Sequence, residues 1–121
     1  MISITLKGEP RSTGHIYKIT AYNGYPKMYM SPEGQALKTD YQWQIKQQYR
    51  AKPIEMPLEI YIRLYFGTKR KSDWDNFHKL SMDALNKAVW LDDSQIQKAY
   101  VEKAYDKENP RIEIDIYPLV A

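Results

Sequence analysis

The chain contains no cysteine, so disulfides, thiol catalysis and cysteine-held zinc are all excluded. Imidazole is available only from His15 and His78. No apolar run reaches the length of a signal-peptide core or a membrane span, and the expected location is the cytoplasm. Internal repeats, low-complexity tracts and linkers are also missing. What remains is globular: 121 residues, 43% hydrophobic and 27% charged. That length fits a single domain over residues 1–121, with enough buried surface to fold without metal or disulfide staples.

The net charge of +3 favours a polyanionic partner. Its distribution says more than its size. Lys69, Arg70 and Lys71 form one cluster, and Lys38, Lys46, Arg50 and Lys52 lie along another segment. Eleven tyrosines and three tryptophans add flat faces that stack on bases or pack at core edges.

Alternation marks the strands. "ISITL" places Ile2, Ile4 and Leu6 on one face, and "LEIYIRLYF" does the same with Leu58, Ile60, Ile62, Leu64 and Phe66. Asn23-Gly24 suits a two-residue hairpin turn, with Pro26 pushing the second arm toward a sheet edge. Ser31-Pro32 opens a helix whose face is Leu37, Tyr41, Ile45 and Tyr49. A second helix is predicted from Asp73 to about residue 89. Its apolar side carries Trp74, Phe77, Leu80, Ser81, Ala84, Leu85 and Ala88. "QIQKAYVEKAY" and "RIEIDIYPL" read as a strand pair joined by "DKENP". The expected fold is an α+β two-layer sandwich, a mixed sheet with two main helices packed on it. The connection from strand 58–66 through the second helix to strand 95–105 reads as a parallel crossover.

Acids gather where the chain is otherwise basic. Directly after "TKRK" come Asp73, Asp75 and Asp83, with Lys79 among them, and "LDDSQ" adds Asp92 and Asp93. A purely structural account exists. Ser72 or Asp73 caps the helix, Asp75–Lys79–Asp83 forms a surface ladder of about 0.3–0.5 kcal/mol per pair, and Asp-Asp-Ser makes a turn. A chemical account exists as well. Carboxylates without thiol or imidazole suit a hard cation, chiefly Mg²⁺ with Mn²⁺ second, and a metal so held assists phosphodiester hydrolysis. The second account requires the acids to meet. The helix separates its ends by about 25 Å, so Asp93 reaches Asp73 only if strand 95–105 starts beside the helix N-terminus or the site forms in another way.

The run "SDWDNFHKLSMDALNKAVWLDDSQI" resembles the signature of RusA-type Holliday junction resolvases, a family of phage and prophage endodeoxyribonucleases. The shared pattern is Asp-x-Asp-Asn, a lysine three residues later, Asp-Ala-Leu, then Asp-Asp and a following Gln. It falls here on Asp73, Asp75, Asn76, Lys79, Asp83-Ala84-Leu85, Asp92-Asp93 and Gln95. The resemblance implies a Mg²⁺-dependent homodimer that binds four-way DNA junctions and cuts two strands symmetrically. It implies Asp73, Asp75 and Asp93 as metal-binding catalytic acids and Lys79 as the essential basic residue, with Asp83 and Asp92 in support. Lys69, Arg70 and Lys71 would contact DNA phosphates, and Lys46 and Arg50 are candidates to extend that surface. His78 reads as a helix-border residue and Trp90 as a packed one. Two readings from other classes remain: a nucleic-acid-binding module without chemistry, and a protein-interaction domain whose acids only cap and solvate a helix.

Overall fold

A computed structural model describes residues 1–12, 17–22, 24–69, 77 and 79–119. Four strands form the main sheet: β1 (Ile2–Lys7), β4 (Leu58–Phe66), β5 (Ile96–Tyr105) and β6 (Arg111–Pro118). Their order is β1-β6-β4-β5. β6 pairs antiparallel with β1 and β4, while β4 and β5 run parallel, so the sheet is mixed as expected. β2 (Tyr17–Tyr22) and β3 (Tyr25–Met30) form a separate hairpin. Tyr22 pairs with Tyr25 across the two-residue turn, and Gly24 takes φ 80°, the left-handed conformation that such turns require.

The alternation in the sequence becomes a one-sided core. Leu58, Ile60, Ile62, Leu64 and Phe66 of β4 point inward beside Ile112, Ile114 and Ile116 of β6 and Ile4 and Leu6 of β1. Helix α1 (Pro32–Gln48) lays Tyr41 and Ile45 onto that surface, with Leu37 and Tyr49 packed at its margin. Its start is set by Ser31, whose Oγ accepts from Gly34 N at 3.1 Å, and by Pro32 at the first helical position. Burial and desolvation push the Tyr41 hydroxyl up to about 12.

α1 also closes one edge of the sheet. Gln48 Oε1 accepts from Thr5 N at 2.8 Å and its Nε2 donates to Thr5 O at 2.7 Å. Gln44 Oε1 accepts from Lys7 N at 2.8 Å. The two amides stand where a further strand would pair, so the outward groups of Thr5 and Lys7 are satisfied.

The opposite face of the sheet is polar and aromatic. Arg63 bridges Glu113 and Asp115, and Arg111 bridges Glu113 and Asp106 while lying 3.8 Å from the Tyr65 ring centre. Tyr61 stacks on Tyr100 at 4.8 Å and meets Tyr117 edge-on at 5.5 Å.

Two expectations need correction. β5 and β6 are not a strand pair, because β4 lies between them. "DKENP" instead carries the chain past the end of β4, where Asp106 N donates to Phe66 O at 2.8 Å. The second helix is also shorter at its C-terminal end: α2 spans Lys79–Leu85. Lys87 adopts φ 69°, which ends the helical repeat, and Asn86 and Trp90 form a bridge. Ala88, expected on the apolar side, is exposed; Val89 and Trp90 turn inward in its place, both at 0% exposure. The predicted helix start at Ser72–Asp73, with Trp74, lies outside the described residues. Among the described residues no helix is long and apolar enough to cross a membrane.

Ile114 is fully buried between Ile4 and Ile62 in the strand register. Ile114→Ala is expected to lower unfolding free energy by about 2–5 kcal/mol. Urea denaturation checks this, and an unchanged midpoint would contradict the core assignment.

Candidate active site

The β4–β5 register positions everything that follows. Leu58 stands beside Ile96 and Phe66 beside Tyr105, so the two strands start together and end together. Phe77 packs edge-on against Phe66, ring centres 5.0 Å apart, and so belongs to the far end of the strand pair. Lys69 belongs there too, its Nζ lying 5.3 Å from the Tyr105 ring centre. The turn that leads to Lys69 is anchored by Glu9, whose Oε2 accepts from Gly67 N at 2.8 Å. A Cβ at Gly67 would come within 2.9 Å of that same oxygen, so a side chain there would displace the Glu9 carboxylate from the turn.

Asp93 belongs to the near end. It opens a short 3₁₀ turn, Asp93–Gln95, directly before β5. The two ends are eight residues apart along β4, roughly 26 Å at the usual strand rise. β5 therefore starts beside Leu58 and not beside Phe77, so the strand does not bring Asp93 to the end that holds Phe77 and Lys69.

The turn around Asp93 is built by its neighbours. Gln95 Nε2 donates to Ile54 O at 2.7 Å and Met56 O at 3.0 Å, while its Oε1 accepts from Leu91 N and Asp92 N, each at 2.8 Å. One side chain thus ties the turn to the segment that enters β4. Asp92 caps the turn, accepting from the backbone N and the hydroxyl of Ser94. Those hydrogen bonds, the Ser94 hydroxyl first, hold the Asp92 carboxyl below its ordinary value of 3.8. Because the folded value is the lower one, this contribution is fully present above pH 3.8 and is lost as pH falls through the depressed value.

Asp93 itself is exposed, and its Oδ1 accepts from Trp90 Nε1 at 2.9 Å. Its Oδ2 hydrogen-bonds to no described residue. Trp90 is fully buried, so a rigid indole aims this carboxylate outward and leaves one oxygen for a cation. Trp90 is packed, as its sequence context predicts, and it also donates to Asp93. The available signal was its position three residues before Asp93, within reach once the chain turns.

The remaining candidates divide plainly. Lys79 is exposed at the first position of α2, and Asp83 is half-buried one turn later. Asp73, Asp75, Arg70, Lys71 and His78 lie outside the described residues. Among the described residues no three His, Asp or Glu side chains gather closely enough to hold a metal ion. Lys46 and Arg50 line a groove of about 1090 Å³ between α1 and the turn after α2, together with Trp43, Asn86 and Lys87. Its exposed cations and Trp43 form a basic, aromatic surface of the kind that holds nucleic-acid backbone.

An outward-aimed carboxylate on a cysteine-free basic domain, with cationic surfaces nearby, has the donor chemistry of a nuclease. The comparisons with known proteins agree. The model of the Endodeoxyribonuclease RusA family matches residues 8–117. The crossover junction endodeoxyribonuclease RusA of Escherichia coli K12 is 33% identical over 115 residues, covering 94% of this chain and 92% of that one. The crossover junction endodeoxyribonuclease of Enterobacteria phage 82 is 35% identical over 91 residues, covering 74% and 76%. The chain belongs to the RusA endodeoxyribonuclease family.

Trp90→Phe retains the buried ring and removes the donor to Asp93. Nuclease activity is expected to fall roughly 10–100-fold, with the metal requirement raised and the circular dichroism spectrum unchanged. Wild-type activity at limiting metal would show that the indole does not orient the acid.

Proposed function

We propose that this endonuclease is a homodimer that resolves four-way DNA junctions by paired hydrolysis of phosphodiesters, using Mg²⁺ or, as substitute, Mn²⁺. Residues 1–121 would act as one domain, in the cytoplasm of a bacterium that carries the gene on a phage or prophage. Membership of the family supports the substrate, and the phage relative supports the origin.

Asp73, Asp75 and Asp93 would hold the metal. The donor set fits a hard dication, since it offers carboxylate oxygen with neither thiolate nor imidazole. When bound, such an ion supplies Lewis-acid polarisation of a phosphoryl oxygen and an activated water. The protein's own part is to fix the acids and hold the backbone. Trp90 and Gln95 orient Asp93; Lys79 offsets charge on the reacting phosphate; and Lys69, Arg70 and Lys71, with the Lys46–Arg50 groove, carry the DNA arms.

The observation that carries this reading furthest is the opposition of Asp93 and Phe77 at the two ends of the β4–β5 pair. Phe77 is only two residues from Asp75 and four from Asp73, and extended chain covers at most about 3.5 Å per residue. A shared metal is therefore assembled most simply across a two-fold axis, with Asp93 from one protomer and Asp73 and Asp75 from its partner. Two such sites related by symmetry suit the symmetric cutting of a four-way substrate.

A labelled four-way junction incubated with protein and Mg²⁺ should give paired nicks that chelator abolishes. Asp73→Asn, Asp75→Asn and Asp93→Asn should each lower cleavage by roughly a hundredfold or more while junction binding persists. Binding by the wild type without any metal-dependent product would instead favour a module that holds nucleic acid without chemistry.

A further inference from the structure

The two edges of the main sheet end differently. At β1 the glutamine amides of α1 occupy the pairing positions. At the other edge β5 runs for ten residues, pairs only with β4 among the described residues, and contains neither proline nor glycine. It is also open on both faces: apart from half-buried Ile96 and Val101, every residue from Gln97 to Tyr105 is exposed. A long strand with a free row of N–H and C=O groups is a template for another strand unless something blunts it.

We propose that β5 is the surface on which a second copy of this chain pairs, antiparallel, with Tyr100 on the two-fold axis. The occupant is identified by charge. Lys98, Tyr100 and Glu102 share the outer face of the sheet, in register with Glu59, Tyr61 and Arg63 of β4. Neither Lys98 nor Glu102 takes part in a salt bridge among the described residues. Antiparallel pairing about Tyr100 sets Lys98 opposite the partner's Glu102 and Glu102 opposite the partner's Lys98. On the inner face Ala99 meets the partner's Val101. Sliding the strands to the neighbouring same-face registers puts Lys98 opposite the partner's Tyr100 or the partner's Ala104, and both charge pairs are lost. β5 is thus complementary to itself in one register. The lysine that would repel an unrelated edge is neutralised there, and the two four-stranded sheets join into one.

The arrangement has a consequence for the site. In this register the start of β5, where Gln97 falls at a register shift against β4, lies beside the end of the partner's β5. Asp93, three residues before Ile96, then stands just beyond the partner's Tyr105. That is the end of the strand pair where Lys69 and Phe77 sit and from which the Asp73–Asp75 run is two to four residues away. The pairing rests on the homodimeric reading above and supplies the route by which one protomer's Asp93 reaches the other's acids.

Charge reversal tests it. Glu102→Lys and Lys98→Glu each place two like-charge pairs across the axis, and each should weaken dimerisation roughly tenfold or more in sedimentation velocity. The double variant Lys98→Glu/Glu102→Lys restores both pairs and should return the dimer to wild-type affinity, which a merely structural effect of either substitution would not do. Single variants that dimerise like wild type, or a double variant as weak as the singles, would overturn the proposal. Junction cleavage with Mg²⁺, measured on the same proteins, separates the two levels. Cleaving, dimeric single variants reject the β5 interface and leave the nuclease reading intact. The charge pattern of dimerisation without cleavage by any protein supports the interface and rejects the nuclease reading.

Discussion

The parallel pairing of β4 with β5 is the constraint on which the rest depends. It is made by two strands that differ in burial: β4 is inward-facing at every second residue, while β5 contributes little to the core. Because the strands run in the same direction, the chain must return from the Phe66 end to the Leu58 end before β5 begins. α2 and the turn through Trp90 make that return. The segment that leaves β4 and the segment that enters β5 are thereby fixed at opposite ends of the sheet. Asp93 lies at the Leu58 end, whereas Lys69 and Phe77 lie at the Phe66 end.

Positioning of Asp93 then follows from local contacts with little freedom. Trp90 has no exposed surface, Ile54 and Trp90 form a bridge, and Ile54 N donates to Val89 O at 2.8 Å. Gln95 fastens the turn to the same entering segment through both ends of its amide. A carboxylate held by a buried indole and a clamped turn is pre-organised, which would limit the ordering cost of the cation binding proposed for it. The same economy is visible at β1, where two glutamines close an edge that a strand would otherwise occupy.

Much of this was legible from residue order. The period-2 runs of β1, β4 and β6, the hairpin that turns at Gly24 and the Ser31-Pro32 helix start all express local physics, and the structure has them where the pattern predicts. What local physics does not encode is which strands become neighbours. β5 and β6 are adjacent in sequence and joined by a five-residue loop, so a hairpin was the natural expectation; the burial of β4 between them is a tertiary outcome. The end of α2 was hidden for a related reason. Asn86, Lys87 and Ala88 are compatible with helix, and only the burial of Val89 and Trp90 turns Lys87 to positive φ. For the site, Asp92, Asp93 and Gln95 were legible as a motif, whereas the Trp90–Asp93 hydrogen bond depends on that turn and was not.

The central claim is that each site takes Asp93 from one protomer and Asp73 and Asp75 from the other. Mixing Asp93→Asn protein with Asp73→Asn protein and allowing subunits to exchange tests it directly on a labelled junction. Each parent is expected to be inactive alone. In the mixed dimer a shared site regains three native acids on one side of the axis, so Mg²⁺-dependent nicking of a single strand is the expected result. If the acids instead meet within one protomer, every site in the mixture still carries one substitution, and mixed dimers that fail to nick the junction would contradict the account.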